Sequence, residues 1–166
     1  TEGSSGSVFI EGKVVNTTQP IAHEFLQESI GQSNTNILAL RNRGVFNDKV
    51  NRTDILPRKA FLFNESSKTA IFDIYVNPTV PVGEYIAWEY HNEPLDTAEI
   101  ATNKVLITGG DVAASIAVGG ISSIQIDLSE IISNLPSIES FSICARLAGN
   151  GTASDMGAAI NWIEDK

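Results

Sequence analysis

The chain has 166 residues and carries 20 Asp and Glu against 11 Lys and Arg, for a net charge of −9. That acidity weighs against nucleic acid as the main partner, because phosphate recognition needs a basic field, and a single cysteine excludes an intrachain disulfide. No run approaches the roughly 20 apolar residues of a membrane helix, whereas the length suffices for one domain with its own core.

In chain order, Gly3-Ser4-Ser5-Gly6-Ser7 marks residues 1–7 as a flexible lead-in. Residues 8–166 read as one domain. Val8 to Val15 predicts a first strand, bulged at Gly12. Ala22 to Ile30 predicts a short helix, since Phe25, Leu26 and Ile30 can share a helical face and Gly31 can end it. Asn36 to Arg43 and Arg52 to Phe63 follow as strands, the second with Pro57 requiring an edge or a bulge. Ala70 to Val76, Glu84 to His91 and Lys104 to Thr108 continue the strand pattern. Gly109-Gly110 and Gly119-Gly120, on either side of the strand Val112 to Val118, read as hairpin turns. Ile121 to Leu128 is a further strand, running into a helical turn over Asp127 to Ile132 that stops near Leu135-Pro136. Ser140 to Leu147 and Met156 to Ile163 close the chain, joined by the polar loop Ala148 to Asp155. About nine or ten short strands with regular turns predict an all-β fold: a two-sheet antiparallel β-sandwich, jelly-roll-like, with one or two short helical turns.

Chemistry-bearing patterns are sparse. His23, His91 and Cys144 lie far apart in sequence, and a zinc site needs three or four ligands. No Gly-x-Ser-x-Gly elbow, calcium loop or phosphate-cradling glycine motif is present. Glu84, Glu89, Glu93, Asp96 and Glu99 could supply the carboxylate pair of a glycosidase, but acidic residues on an exposed strand and loop more often form a solvated face. The expectation is therefore a non-enzymatic protein without cofactor or metal. Cys144, inside Phe141-Ser142-Ile143-Cys144-Ala145, reads as a core thiol. The sequons at Asn16, Asn51, Asn64 and Asn150 read as chance matches in a chain rich in Asn, Ser and Thr. Trp162 reads as core.

Two features suggest binding. Trp88 and Tyr90, followed by His91, fall on one strand face; they either pack inside the sandwich or at an interface, or offer a sugar ring a stacking platform. The second feature is a basic island. Arg41, Arg43, Lys49, Arg52, Arg58 and Lys59 face only Asp48 and Asp54 within residues 41–59, a segment of +4, so that with −9 for the whole chain the remainder carries −13. The arginines are either solvated or paired on strand faces, or form a patch complementary to a neighbouring copy or an acidic particle surface. Arg41, Arg43 and Arg52 are the expected contacts.

Three segments, Ala39 to Arg52, Phe72 to Thr79 and Ile160 to Asp165, resemble a domain of structural proteins of tailed bacteriophages. The resemblance covers most of residues 8–165 and rests on structural rather than catalytic motifs, so no functional residue is carried over. It implies a virion component with a jelly-roll-like sandwich, often in trimers. The expected role is a protein of the particle surface, first as capsid decoration or cement. The alternatives are the receptor-binding tip of a tail or head fibre and a carbohydrate-binding module. Expected partners are other copies of itself and other virion proteins, with host surface glycans as a further candidate, and neither nucleic acid nor membrane insertion.

Overall fold

The computed structural model describes residues 20–92 and 95–165. Two antiparallel sheets face each other. The first holds, in spatial order, β1 (Ile21–Ile30), β12 (Ser154–Asp165), β5 (Asp54–Asn64) and β10 (Ser122–Asp127). The second holds β7 (Glu89–Tyr90), β8 (Ala98–Ala101), β2 (Thr35–Asn42), β11 (Ser140–Leu147), β6 (Ala70–Thr79) and β9 (Gly109–Val118). A small hairpin, β3 (Val45–Phe46) and β4 (Lys49–Val50), stands apart, and Leu128–Glu130 forms a single 3-10 turn.

The pairing of the eight long strands is nested. β1 pairs with β12, β2 with β11, β5 with β10 and β6 with β9, each antiparallel. The chain is thus one long hairpin rolled into two layers, the winding of a jelly roll. The core lies between the layers, where Ile37, Leu40, Ile55, Leu62, Phe72, Ile74, Phe141, Ile143 and Trp162 are buried. Cys144 is buried as expected, and desolvation with the nearby Asp73 charge pushes its thiol pKa up to about 12.

Several expectations are corrected. Residues 22–30 form the edge strand β1, not a helix. His23, Phe25 and Gln27 turn inward while Ala22, Glu24, Leu26 and Glu28 stay exposed, and pairing with β12 overrides the helical spacing. The shift that returns Ile30 to the core is a register break after Gln27, with Ser29 at φ 56. Of the strand expected at residues 84–91, only Glu89–Tyr90 pairs. Of that expected at 104–108, Leu106 alone makes a bridge, to Thr35. Residues 104–108 run beside the start of β2, the Val105 carbonyl accepting the Asn36 amide at 2.8 Å and the Ile107 amide donating to the Asn34 carbonyl at 3.0 Å, and Val105 and Ile107 turn to the outer face, where they pack on Cys144 with Tyr75, Val80 and Ile86. That cover explains why β2 and β11 are buried on both faces.

Gly109-Gly110 is not a turn but opens β9, and a Cβ on Gly110 (φ 122) would meet the backbone of residues 76–78 at 3.0 Å. Gly119-Gly120 does turn the chain, though between layers rather than within a hairpin, and a Cβ on Gly120 would lie 2.5 Å from the Ser67 carbonyl. Pro57 sits opposite a register break in β12, as expected, and Asn161 Oδ1 accepts the Lys59 amide there at 2.8 Å. The strand expected at residues 8–15 lies outside the described residues.

Buried amides tie the connections. Asn42 donates to the carbonyls of Thr53 (2.7 Å) and Leu135 (2.9 Å) and accepts from Asn51 Nδ2 (2.7 Å). Asn51 also donates to the Arg43 carbonyl and accepts the Thr53 amide. Asn64 donates to the carbonyls of Lys68, Val118 and Gly119. The sequons at Asn51 and Asn64 are therefore occupied by structural hydrogen bonds.

Candidate interaction surfaces

Strand alternation puts Arg41 and Glu99 opposite each other on the outer face of the second sheet, with Tyr90 beside Glu99. Arg41 Nε bonds Glu99 Oε1 at 2.9 Å, and its guanidinium carbon lies 4.7 Å from the Trp88 ring centre. Arg43 is buried. Its guanidinium carbon lies 4.0 Å from the Tyr90 ring centre and 5.3 Å from that of Phe46, and Nη2 donates to the Asp96 carbonyl at 2.6 Å. Two arginines of β2 and its C-terminal extension thus each meet an aromatic of the β7 segment, at distances where the ring quadrupole attracts a cation. Tyr90, half exposed, caps Arg43.

The remaining cations are dispersed. Lys49 is on β4 and Arg52 follows it, both exposed. Arg58 and Lys59 lie on β5 in the other sheet, near Asp127, whose carboxyl is held below its ordinary range mainly by the Ser129 hydroxyl and less by these cations. The sequence island is thus divided between two layers and a hairpin. Arg43 lies beneath Tyr90, and Arg41 is committed to Glu99.

The β3–β4 hairpin is a surface that sequence reading missed. Asn47 and Asp48, at φ 54 and 61, form its two-residue turn. The motif Val45-Phe46-Asn47-Asp48-Lys49-Val50 carries that signal. Val45 and Val50 are cross-strand partners, exposed by 61% and 70%. Ile138, 71% exposed and at φ 68, lies close by, its Cγ2 3.0 Å from where a Cβ on Gly44 would stand. A β-branched residue in that backbone region is strained, and such strain concentrates at functional sites. The Asn42–Asn51 network clamps the hairpin's base.

At the opposite side of the second sheet's β7 edge, His91 and Trp162 meet edge to face at 5.1 Å, and His91 and His23 at 5.4 Å. His91 Nδ1 is 2.8 Å from Asp96 Oδ2. Burial, then the neighbouring His91, lowers the His23 pKa, with Glu24 opposing. Among the described residues no three His, Cys, Asp or Glu side chains converge as a metal site would require. Asp73, nearly buried, is bonded by Arg146 Nη1 at 2.6 Å and by the Ser115 hydroxyl, and Glu164 accepts the Thr97 amide at 2.8 Å.

No family model matches the sequence, and no curated protein matches it. Among solved structures, the chain is similar to one of the T13 IBDV viral particle, with a TM-score of 0.33 and 12% identity, over 99% of this chain and 36% of that one.

Proposed function

We propose that this chain is a non-enzymatic structural protein of a tailed-bacteriophage virion, displayed on the particle surface as capsid decoration or cement. The observation that carries the reading is the hairpin end of the sandwich. Val45, Val50 and Ile138 stand 61%, 70% and 71% exposed, with Lys49 and Arg52 beside them in the chain, on a molecule whose charge outside residues 41–59 is −13. Clustered exposed apolar side chains rimmed by charge mark interaction sites. A cement protein acts by burying such a surface against its neighbours. Further support comes from the nested winding, which recurs in capsid domains, and from the resemblance of residues 39–52, 72–79 and 160–165 to structural domains of tailed phages. The partners are other virion proteins and further copies of the chain. Lys49 and Arg52 of the hairpin meeting an acidic neighbour head to tail would form a ring where the rotation closes, for which a trimer is the proposed size.

Native mass spectrometry and electron microscopy of the source particle test the reading. The expected result is a trimer and sandwich-shaped density on the particle surface, contacting it through the hairpin. Lys49→Glu with Arg52→Glu should abolish particle binding at physiological salt. Absence of the chain from purified particles, or unchanged binding by the double variant, would overturn the proposal.

A second reading, recognition of host surface glycans as a fibre tip or carbohydrate-binding module, is favoured by the half-exposed Tyr90 with Trp88 and His91 on the same β7 segment.

A further inference from the structure

The two sheets part where β1, the edge of the first, faces β7 and β8 of the second. A cleft of about 430 Å³ opens in this seam, within the range of small-molecule sites. Its lining follows from strand parity. Glu89 pairs with Ile100, whose side chain belongs to the core, so Glu89 turns into the seam while Tyr90 turns to the outer face and stands at the rim. Phe25 of β1 and Ile100 of β8 supply apolar surface; His23, His91 and Thr102 supply polar groups.

We propose that this cleft binds the end of a short, uncharged glycan. The inference rests on the glycan reading above and moves its site from the Trp88–Tyr90 face into the seam behind it. A sugar needs an apolar wall for its C–H face and a mixed set of donors and acceptors for its hydroxyls, which Phe25 and Ile100 provide together with Glu89 and Thr102. His91 has Nδ1 committed to Asp96, which leaves Nε2 for a ligand hydroxyl. Charge decides the class. Among the described residues no Lys or Arg lines the cleft, so a uronate, sialyl or phosphate group would bring its negative charge beside Glu89 with no lysine or arginine there to offset it. Arg41 and Arg43 lie on the outer face and are held there by Glu99, Trp88, Tyr90 and Asp96.

The test is calorimetry and saturation-transfer NMR on the full chain. The probes are neutral di- and trisaccharides of glucose, galactose and N-acetylglucosamine, together with uronate- and sialic-acid-containing counterparts. Ala87→Phe fills the cleft, Glu89→Gln removes its carboxylate, and Trp88→Ala reports on the outer face. Thermal melting checks that each variant is folded, and Glu89→Gln changes an exposed position of a two-residue strand. Binding of a neutral probe, weakened at least tenfold by Ala87→Phe and by Glu89→Gln, supports the cleft. Preferred binding of acidic probes overturns the uncharged class. Binding lost on Trp88→Ala but retained by both cleft variants overturns the cleft site while leaving the glycan reading standing. No binding of any probe at millimolar concentration overturns both.

Discussion

Replacing Asn42 by Ala should be among the most damaging single substitutions in the molecule. Asn42 is fully buried, and its amide serves the Thr53 carbonyl, the Leu135 carbonyl and Asn51 Nδ2 at 2.7–2.9 Å. Truncation leaves the Thr53 carbonyl and one Asn51 N–H without that partner, while the Leu135 carbonyl keeps the Ile55 amide at 3.0 Å. A buried polar group stranded in this way costs about 1–3 kcal/mol, and partial rearrangement around Asn51 brings the expected loss to about 4 kcal/mol. A domain of this size has about 5–15 kcal/mol in total. With a urea dependence of about 2 kcal/mol per molar, the unfolding midpoint should fall by about 2 M. Asn51→Ala should cost a comparable amount, because its own bonds hold Thr53 and the Arg43 carbonyl. The double variant should lose clearly less than the sum of the two, as the residues form one network. Equilibrium urea unfolding followed by tryptophan fluorescence measures all three. A loss below about 1 kcal/mol for Asn42→Ala, or strict additivity, would refute the argument that these amides act as a unit.

Stability should also fall on acidification through the histidine range. Burial and His91 hold His23 below its ordinary pKa of 6.5, so between the folded value and 6.5 the unfolded chain binds more protons than the folded one. The contribution is complete above 6.5 and declines as pH drops below it; His23→Phe should flatten that part of a melting-temperature profile, and an unchanged slope would dismiss it. Cys144, with its thiol pKa near 12 and no exposure, should react with a chromogenic disulfide reagent only on unfolding; rapid labelling of the native protein would contradict its burial.

Much of the sandwich was legible in the chain. β5, β6, β10, β11 and β12 lie close to where branched and apolar residues recur along the chain, and β2 over the continuous apolar run Ile37-Leu38-Ala39-Leu40. β1 misled because Phe25, Leu26 and Ile30 satisfy a helical spacing as well as a bulged strand, and only the partner strand decides between them. Residues 84–91 and 104–108 misled for a different reason. They carry strand-like apolar residues, but pair only over a residue or two, at Glu89–Tyr90 and around Leu106, while Ile86, Val105 and Ile107 pack onto Tyr75 and Cys144. The candidate surfaces were less legible. The positive charge of residues 41–59 is visible in sequence, yet the capping of Arg43 by Tyr90 joins segments that meet only through the β2–β8–β7 register. The same holds for His23 and His91, which belong to different layers.

The nested pairing has a consequence for biogenesis. β12 lies between β1 and β5, so its two neighbours have no ladder with each other until residues 154–165 are in place. A ribosome releasing this domain from its N-terminal side therefore leaves the facing edges of β1 and β5 unpaired, and the core without Met156, Ala158, Ile160 and Trp162, until β12 arrives. Such long-range closure folds slowly. Loss of that strand to a premature stop would split the first sheet down its middle rather than trim its margin.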